Sequence, residues 1–407
     1  MTQEFSKSSN RILIVGGSAR AAAESVLRAG HIPLSADMFA DVDTRQISET
    51  VKVRCYPDSL PDDIAQVQAD GWFYTGGLEN HPDLIARLDR LDAPYGRLLG
   101  NGADSLRKIR DPFWVNRILR EWDLPALDLR PGSHPPGRDG RWMRKPLASA
   151  GGHQVEIWDS RSSEAISEVS CYFQRRQNGQ TLSALFYRCG DSTTLLGITR
   201  QIIQHPWSCA PQPFSYCGSI GPWQALSGED LSPGRHQQVE GDLRIMANVL
   251  GDKSDLRGLF GLDFILDDNS VPWIVEINPR YTASVEVLEL ARQNSLLAPG
   301  PGPSFGETRV VAKLILFSPD SMKSPDLGRL RGSSSIWSIP EVADIPVPAS
   351  EIAATWPICT VLADGETEAD CLKKLALRVD NAWKLVNLPG AGESPGPSVL
   401  DQLGPLR

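Results

Sequence analysis

The richest run of chemically capable side chains is GLDFILDDNSVPWIVEINPR, residues 261–280. Two apolar stretches flank the turn Asp267-Asp268-Asn269-Ser270, a pattern that predicts a β-hairpin. A centre between Asn269 and Ser270 sets Asp263 opposite Glu276, and directly opposed residues of an antiparallel pair share a face. Asn278, two residues beyond Glu276, shares it as well, while Leu262, Phe264, Val275 and Ile277 point the other way. Two carboxylates and an amide oxygen then converge on a rigid surface. Opposed like charges repel unless a cation lies between them, and hard oxygen ligands suit Mg²⁺ or Mn²⁺. Arg280 follows on the same side, available to a phosphoryl group. The competing reading is the polar face of an exposed hairpin that Asn278-Pro279 merely ends. The strongly apolar character of both strands favours the metal-binding one.

A second stretch, RWMRKPLASAGGHQV, sets Lys145 on a strand ahead of a small-residue loop containing Ser149, Gly151 and Gly152. Small residues let backbone N–H groups approach a phosphate, and the lysine adds a point charge. The order lysine-then-glycines is not that of a P-loop. A plain glycine-rich turn is the alternative reading.

The elements that must carry these groups alternate first between strand and helix. Arg11 to Val15 reads as a buried parallel strand ending in Gly16-Gly17-Ser18, followed by an Ala-rich helix that Gly30 closes and a second strand over 31–37. Further strands at 71–75 and 97–101 and a helix over 81–91 complete a doubly wound domain, residues 11–106. Gly16-Gly17-Ser18 lacks the full G-x-G-x-x-G, so a tight strand-to-helix turn is preferred to a dinucleotide site. The centre is strand-rich, with hairpin-like turns expected at Asn178-Gly179 and 267–270 and one helix over 232–250. From residue 308 the chain reads as strand, Pro/Ser-rich loop, strand and a helix over 367–385. Residues 1–10 and 389–407 are expected to be disordered.

Composition narrows the partners. The 407 residues carry a net charge of −9, which disfavours general nucleic-acid or anionic-membrane binding. No apolar run reaches the ~18–20 residues of a membrane span, and the N-terminus reads as no secretory signal. The 7 cysteines contain no C-x-x-C pair and suggest neither a disulfide framework nor a zinc site. A soluble, cytoplasmic protein is expected.

Lys145 with its glycine loop, the strand CYFQRRQNGQ and GLDFIL…WIVEINPR together resemble the ATP-grasp superfamily, specifically ATP-dependent carboligases related to biotin carboxylase, over roughly Arg11 to Leu388. The resemblance implies an α/β fold, α+β in the centre: a doubly wound pre-ATP-grasp domain (11–106), an ATP-grasp domain of two subdomains (107–307) and a C-terminal α+β region (308–388). It implies ATP with Mg²⁺ or Mn²⁺ as cofactors and Asp263, Glu276 and Asn278 as metal ligands. Lys108, Lys145, Ser149, Gly151, Gly152 and Gln174 would contact ATP, and Lys145 and Arg280 would stabilise the transferring phosphoryl group. Where relatives carry an acidic residue after the hinge glutamine, this chain has Arg175-Arg176. Residues 75–80, TGGLEN, end a strand where open α/β sheets bind ligands, so Gly77, Glu79 and Asn80 are candidate substrate residues. The long segment 200–222 offers Arg200 and Gln201 beside the phosphates.

The implied activity is ligation of a small carboxylate to an amine-type nucleophile through an acylphosphate, releasing ADP and phosphate. Similar proteins accompany tetrahydromethanopterin-dependent one-carbon metabolism, where cofactor precursors are joined to amino acids. A kinase or carboxylase-like enzyme on the same fold and a nucleotide-binding module without turnover remain alternatives, and a homodimer is left open.

Overall fold

The structure, a computed structural model, describes residues 9–90, 93–162, 170–226, 233–297, 309–330 and 335–386. The tails expected to be disordered lie almost wholly outside these residues. All seven cysteines are free thiols. No helix among the described residues is long and apolar enough to cross a membrane.

The N-terminal strands and helices alternate as β1 (Arg11–Gly16), α1 (Arg20–Arg28), β2 (Ile32–Asp37), α2 (Val42–Ile47), β3 (Glu49–Lys52), α3 (Leu60–Asp63), β4 (Gly71–Tyr74), α4 (Pro82–Leu88) and β5 (Arg97–Leu98). The strands form a parallel sheet in the order β3-β2-β1-β4-β5. Leu13 and Val15 pack on one face, Ile12 and Ile14 on the other, as expected where helices or neighbouring layers cover both sides. Gly30 closes α1 with φ +83, the left-handed conformation that glycine adopts without strain.

Two helices, α5 (Ala103–Ile109) and α6 (Pro112–Glu121), lead into a four-stranded antiparallel sheet: β6 (Leu129–Pro131), β7 (Trp142–Pro146), β8 (Glu156–Ile157) and β9 (Cys171–Arg175), ordered β6-β9-β7-β8. Asp111 caps α6 by accepting from the Phe113 N–H, and Pro112 takes the first helical position, where no N–H is needed.

A larger antiparallel sheet follows. The chain runs on through β10 (Gln180–Cys189), β11 (Ser192–Ile203), β12 (Tyr216–Gly221), α7 (Pro233–Ser254), β13 (Gly258–Leu266), β14 (Pro272–Asn278), α8 (Ala283–Arg292), β15 (Val310–Phe317), β16 (Met322–Lys323), β17 (Val342–Ala343), β18 (Glu351–Ile352), β19 (Pro357–Gly365) and α9 (Glu368–Val386), with β16 and β18 paired apart as a two-stranded sheet. Eight strands run in the order β14-β13-β10-β11-β12-β15-β19-β17. Strand parity divides them. Phe260, Leu262 and Phe264 of β13, with Leu182, Ala184 and Phe186 of β10, join α7 and α9 in the largest core. The opposite face receives α8 and borders the polar cleft described below.

Asn178-Gly179 is not a hairpin turn. It carries the chain from β9 in the small sheet to β10 in the large one, so strands on either side of it do not pair. The turn residues are there because the crossover is tight: a Cβ on Gly179, at φ +146, would lie 2.2 Å from the Leu266 carbonyl oxygen. The hairpin between β10 and β11 instead turns at Gly190-Asp191, with Cys189 opposite Ser192.

Candidate functional site

The crossover at 176–179 leaves a cleft of about 590 Å³ between the two antiparallel sheets, a size typical of small-molecule sites. Its floor is the β13–β14 hairpin. Asp263 stands directly opposite Glu276 as the spacing predicts, with Gly261 opposite Asn278. A bulge intervenes at once: Phe264 pairs with Ile274, leaving Val275 as the extra residue. Val275 therefore does not simply face away from the acidic pair. It lines the cleft, and its carbonyl accepts from Lys145 Nζ at 2.9 Å.

Lys145 projects from β7 and also donates to Gln174 Oε1 of β9 at 3.0 Å. The small-residue loop after β7 reaches back across the cleft. The Gly151 carbonyl accepts from the Tyr216 N–H at 3.0 Å, and a Cβ on Gly152 (φ +80) would lie 1.9 Å from the Phe214 carbonyl oxygen. Glycine is required there by contact and by conformation together. Ser149 donates its hydroxyl to the His153 carbonyl.

The electrostatics divide the two carboxylates. Burial and then the Glu276 charge push the Asp263 carboxyl up to about 6, while hydrogen bonds from Ser183 and Gln201 oppose the rise. Burial also works against Glu276, yet the Arg110 and Lys145 cations outweigh it and hold that group below the usual carboxylate range.

Arg110 was not anticipated from the sequence. Its guanidinium donates to Glu276 Oε1 (2.8 Å), the Ile277 carbonyl (3.0 Å), Asn80 Oδ1 (2.9 Å) and the Ser149 carbonyl (2.8 Å). The basic run in SLRKIRDP was the available signal, but Lys108 is not the residue that reaches the cleft. Lys108 is exposed on α5, with its ammonium 3.4 Å from the Lys253 carbonyl. Two residues later the helix has ended, and the chain turns Arg110 inward.

Arg280 is held by Glu79 Oε1 (2.9 Å from Nε), the Tyr281 carbonyl (3.1 Å) and Asn278 Oδ1 (3.0 Å). Glu79 is buried, and its second oxygen accepts from the Gly77 N–H at 2.6 Å. Gly77, with φ +106, and Asn80, whose amide donates to the Ser149 carbonyl, thus support the cleft from the parallel sheet. Glu79 positions Arg280 rather than presenting a free carboxylate. Arg200 lies on the other face of β11 from Gln201, paired with Glu368 of α9. Strand alternation separates the two neighbours, and it is Gln201 that lines the cleft. Of the hinge arginines, Arg175 lays its guanidinium over the Trp142 ring at 5.6 Å, and Arg176 borders the cleft.

The donor set of Asp263, Glu276 and Asn278 Oδ1 fits a hard divalent cation. Two opposed carboxylates, one with its proton affinity raised by the other, are what an added cation would relieve. At present Asn278 donates its amide to Asp263 Oδ2 at 2.9 Å and turns Oδ1 to Arg280, so ligation requires the amide to turn over.

Residues 130–284 match the ATP-grasp domain family. An uncharacterized protein of Methanocaldococcus jannaschii is 24% identical over 302 residues, which span 72% of this chain and 64% of that protein, just under two thirds of its length. Among solved structures, an L-amino acid ligase from Bacillus licheniformis superposes with a TM-score of 0.65 at 13% identity, covering 92% of this chain and 98% of its own. Carboxyaminoimidazole ribonucleotide synthase from Aspergillus clavatus, complexed with ATP, gives 0.65 at 15% over 93% and 99%. Biotin carboxylase from Campylobacter jejuni gives 0.64 at 12% over 90% and 90%. At such identities the likeness establishes the fold.

Proposed function

We propose that this chain, an ATP-grasp superfamily protein by domain and by fold, is an ATP-dependent ligase that activates a small carboxylate as an acylphosphate and joins it to an amine. The observation that carries the reading is the juxtaposition of Lys145, the glycine loop and the Asp263–Glu276 pair across one cleft. A glycine loop with a lysine on one wall and paired carboxylates on the other suits a nucleoside triphosphate bound with a divalent cation.

In this reading Lys145 exchanges its bonds to Gln174 and the Val275 carbonyl for phosphate oxygens. The main chain at Gly151 and Gly152 lets the phosphates lie close, and Gln174 and the crossover after it border the base. Asp263, Glu276 and Asn278 would hold Mg²⁺ or Mn²⁺, which would neutralise phosphate charge. Arg280, aimed by Glu79, stabilises the oxygens of the transferring phosphoryl group. The substrate carboxylate attacks the γ-phosphorus and ADP leaves. The amine then adds to the acyl carbon and displaces phosphate, a far better leaving group than the hydroxide of a free acid.

The reaction is tested by ADP release from the purified chain with Mg²⁺-ATP and paired carboxylate and amine pools, with Glu276→Gln as control. Removing one charge contact from a desolvated phosphate site costs about 3 kcal/mol, or a hundredfold in rate. A variant as active as the parent would remove Glu276 from the machinery.

A further inference from the structure

Glu276 already has a cationic partner. Nη1 of Arg110 donates to its Oε1 at 2.8 Å and to the Ile277 carbonyl at 3.0 Å. Nη2 donates to Asn80 Oδ1 at 2.9 Å and to the Ser149 carbonyl at 2.8 Å. The three neutral acceptors belong to the turn after β4, the loop after β7 and β14. A lysine ammonium on its flexible stem could swing aside if Glu276 took another partner. A planar guanidinium held at both ends cannot do so without giving up bonds to the other three. Its positive charge is fixed beside Glu276.

The surrounding charge adds to it. Arg110 lines a smaller cavity of about 80 Å³ that shares Lys145, Gln174 and Glu276 with the cleft. The cleft itself is lined by Lys145, Arg175, Arg176 and Arg280 against Asp263 and Glu276, although the chain as a whole carries −9. Arg280 is met by Glu79, but the others leave a local surplus of positive charge. A bare divalent cation entering there meets that surplus at close range, where little water screens it. A nucleotide brings phosphates with several negative charges and reverses the balance.

We propose that Arg110 is a fixed counter-charge that keeps free divalent cations off Glu276, so that the cleft takes up the cation together with the nucleotide. The proposal rests on the nucleotide-and-cation part of the ligase reading. Arg110 is a positioning residue here: it stays bonded to Asn80, Ser149 and Ile277 and touches neither cation nor substrate. Two cations at one carboxylate repel each other, and only the phosphates make the pair tolerable.

Calorimetric titration of the full chain with Mn²⁺, and with ADP in the presence and absence of Mn²⁺, tests this. By linkage, the wild-type chain should bind Mn²⁺ at least tenfold more tightly once ADP is bound. Arg110→Gln should bind bare Mn²⁺ about tenfold more tightly than the wild type, while Arg110→Lys, which keeps the charge, should stay within a few-fold of it. A merely structural brace gives the opposite sign, since loosening Glu276 weakens its ligation. Bare Mn²⁺ bound no more tightly by Arg110→Gln than by the wild type overturns the proposal. So does wild-type binding of Mn²⁺ as tight without ADP as with it, a comparison that needs no variant. ADP binding in either case leaves the nucleotide reading standing, whereas no ADP binding at all removes both.

Discussion

Arg110 ties the end of α5, the glycine loop and the acidic hairpin together through one guanidinium. Truncation to Ala would leave Glu276 without its nearest cation and the Ser149 carbonyl with the Asn80 amide in place of two donors. The pair is partly exposed, at 13% and 31%, so we expect a loss of about 2–3 kcal/mol, below the full cost of breaking a buried pair. Urea denaturation reads this, and Arg110→Lys should recover only part, because one ammonium cannot span four acceptors. Asp41 supplies a pH prediction. Its folded value of about 8 lies above the ordinary 3.8, so the folded chain keeps a proton that the unfolded chain releases. The Tm of the wild-type chain should therefore fall relative to that of Asp41→Asn as pH rises from 4 to 8, then run parallel above 8. A constant difference across that range would mean that Asp41 is not held protonated. The Asp263–Glu276 opposition was legible in the sequence because strand parity and one turn centre decide it. Arg110 was not, since the choice between it and Lys108 depends on where a helix ends, and of the neighbours Arg200 and Gln201, both named from the sequence, only the face of β11 that meets the cleft selects Gln201.

Among the elements, the loop after β7 makes the sharpest demand on sequence. Gly151 and Gly152 both have positive φ, but a Cβ meets nothing at Gly151 and the Phe214 carbonyl at Gly152. Gly151→Ala should cost only the left-handed strain, ~1–2 kcal/mol, and leave nucleotide affinity within a few-fold. Gly152→Ala must displace the loop from β12 and should weaken ADP binding tenfold or more in the same titration. Equal effects would show that the loop is not pinned. The parallel β-α-β run and the long β10, β11 and β13 strands were readable from hydrophobic runs and turn residues. The sheet to which β9 belongs was not. Asn178-Gly179 has turn chemistry, yet whether a turn closes a hairpin or crosses between layers depends on pairing partners far away in the chain.

At the scale of the whole molecule, the two antiparallel sheets face each other across a polar cleft that the Lys145, Arg110 and glycine-loop contacts bridge. A nucleotide lying there adds contacts to both sheets at once and binds only the folded chain. ADP at a hundred times its Kd should therefore stabilise the protein by ~2.7 kcal/mol, seen as a rise in Tm that Glu276→Gln diminishes in the presence of Mg²⁺. The segment after residue 308 was expected as a C-terminal region completing the centre. β15 and β19 extend the same eight-stranded sheet, which makes that part continuous with the floor of the cleft. The most direct measurement of the central claim is the nucleotide product formed with Mg²⁺-ATP, a carboxylate pool and an amine pool. ADP and phosphate appearing one-to-one with a new amide, and lost in Glu276→Gln, is the result expected. AMP and pyrophosphate as products, or no nucleotide bound at all, would contradict it.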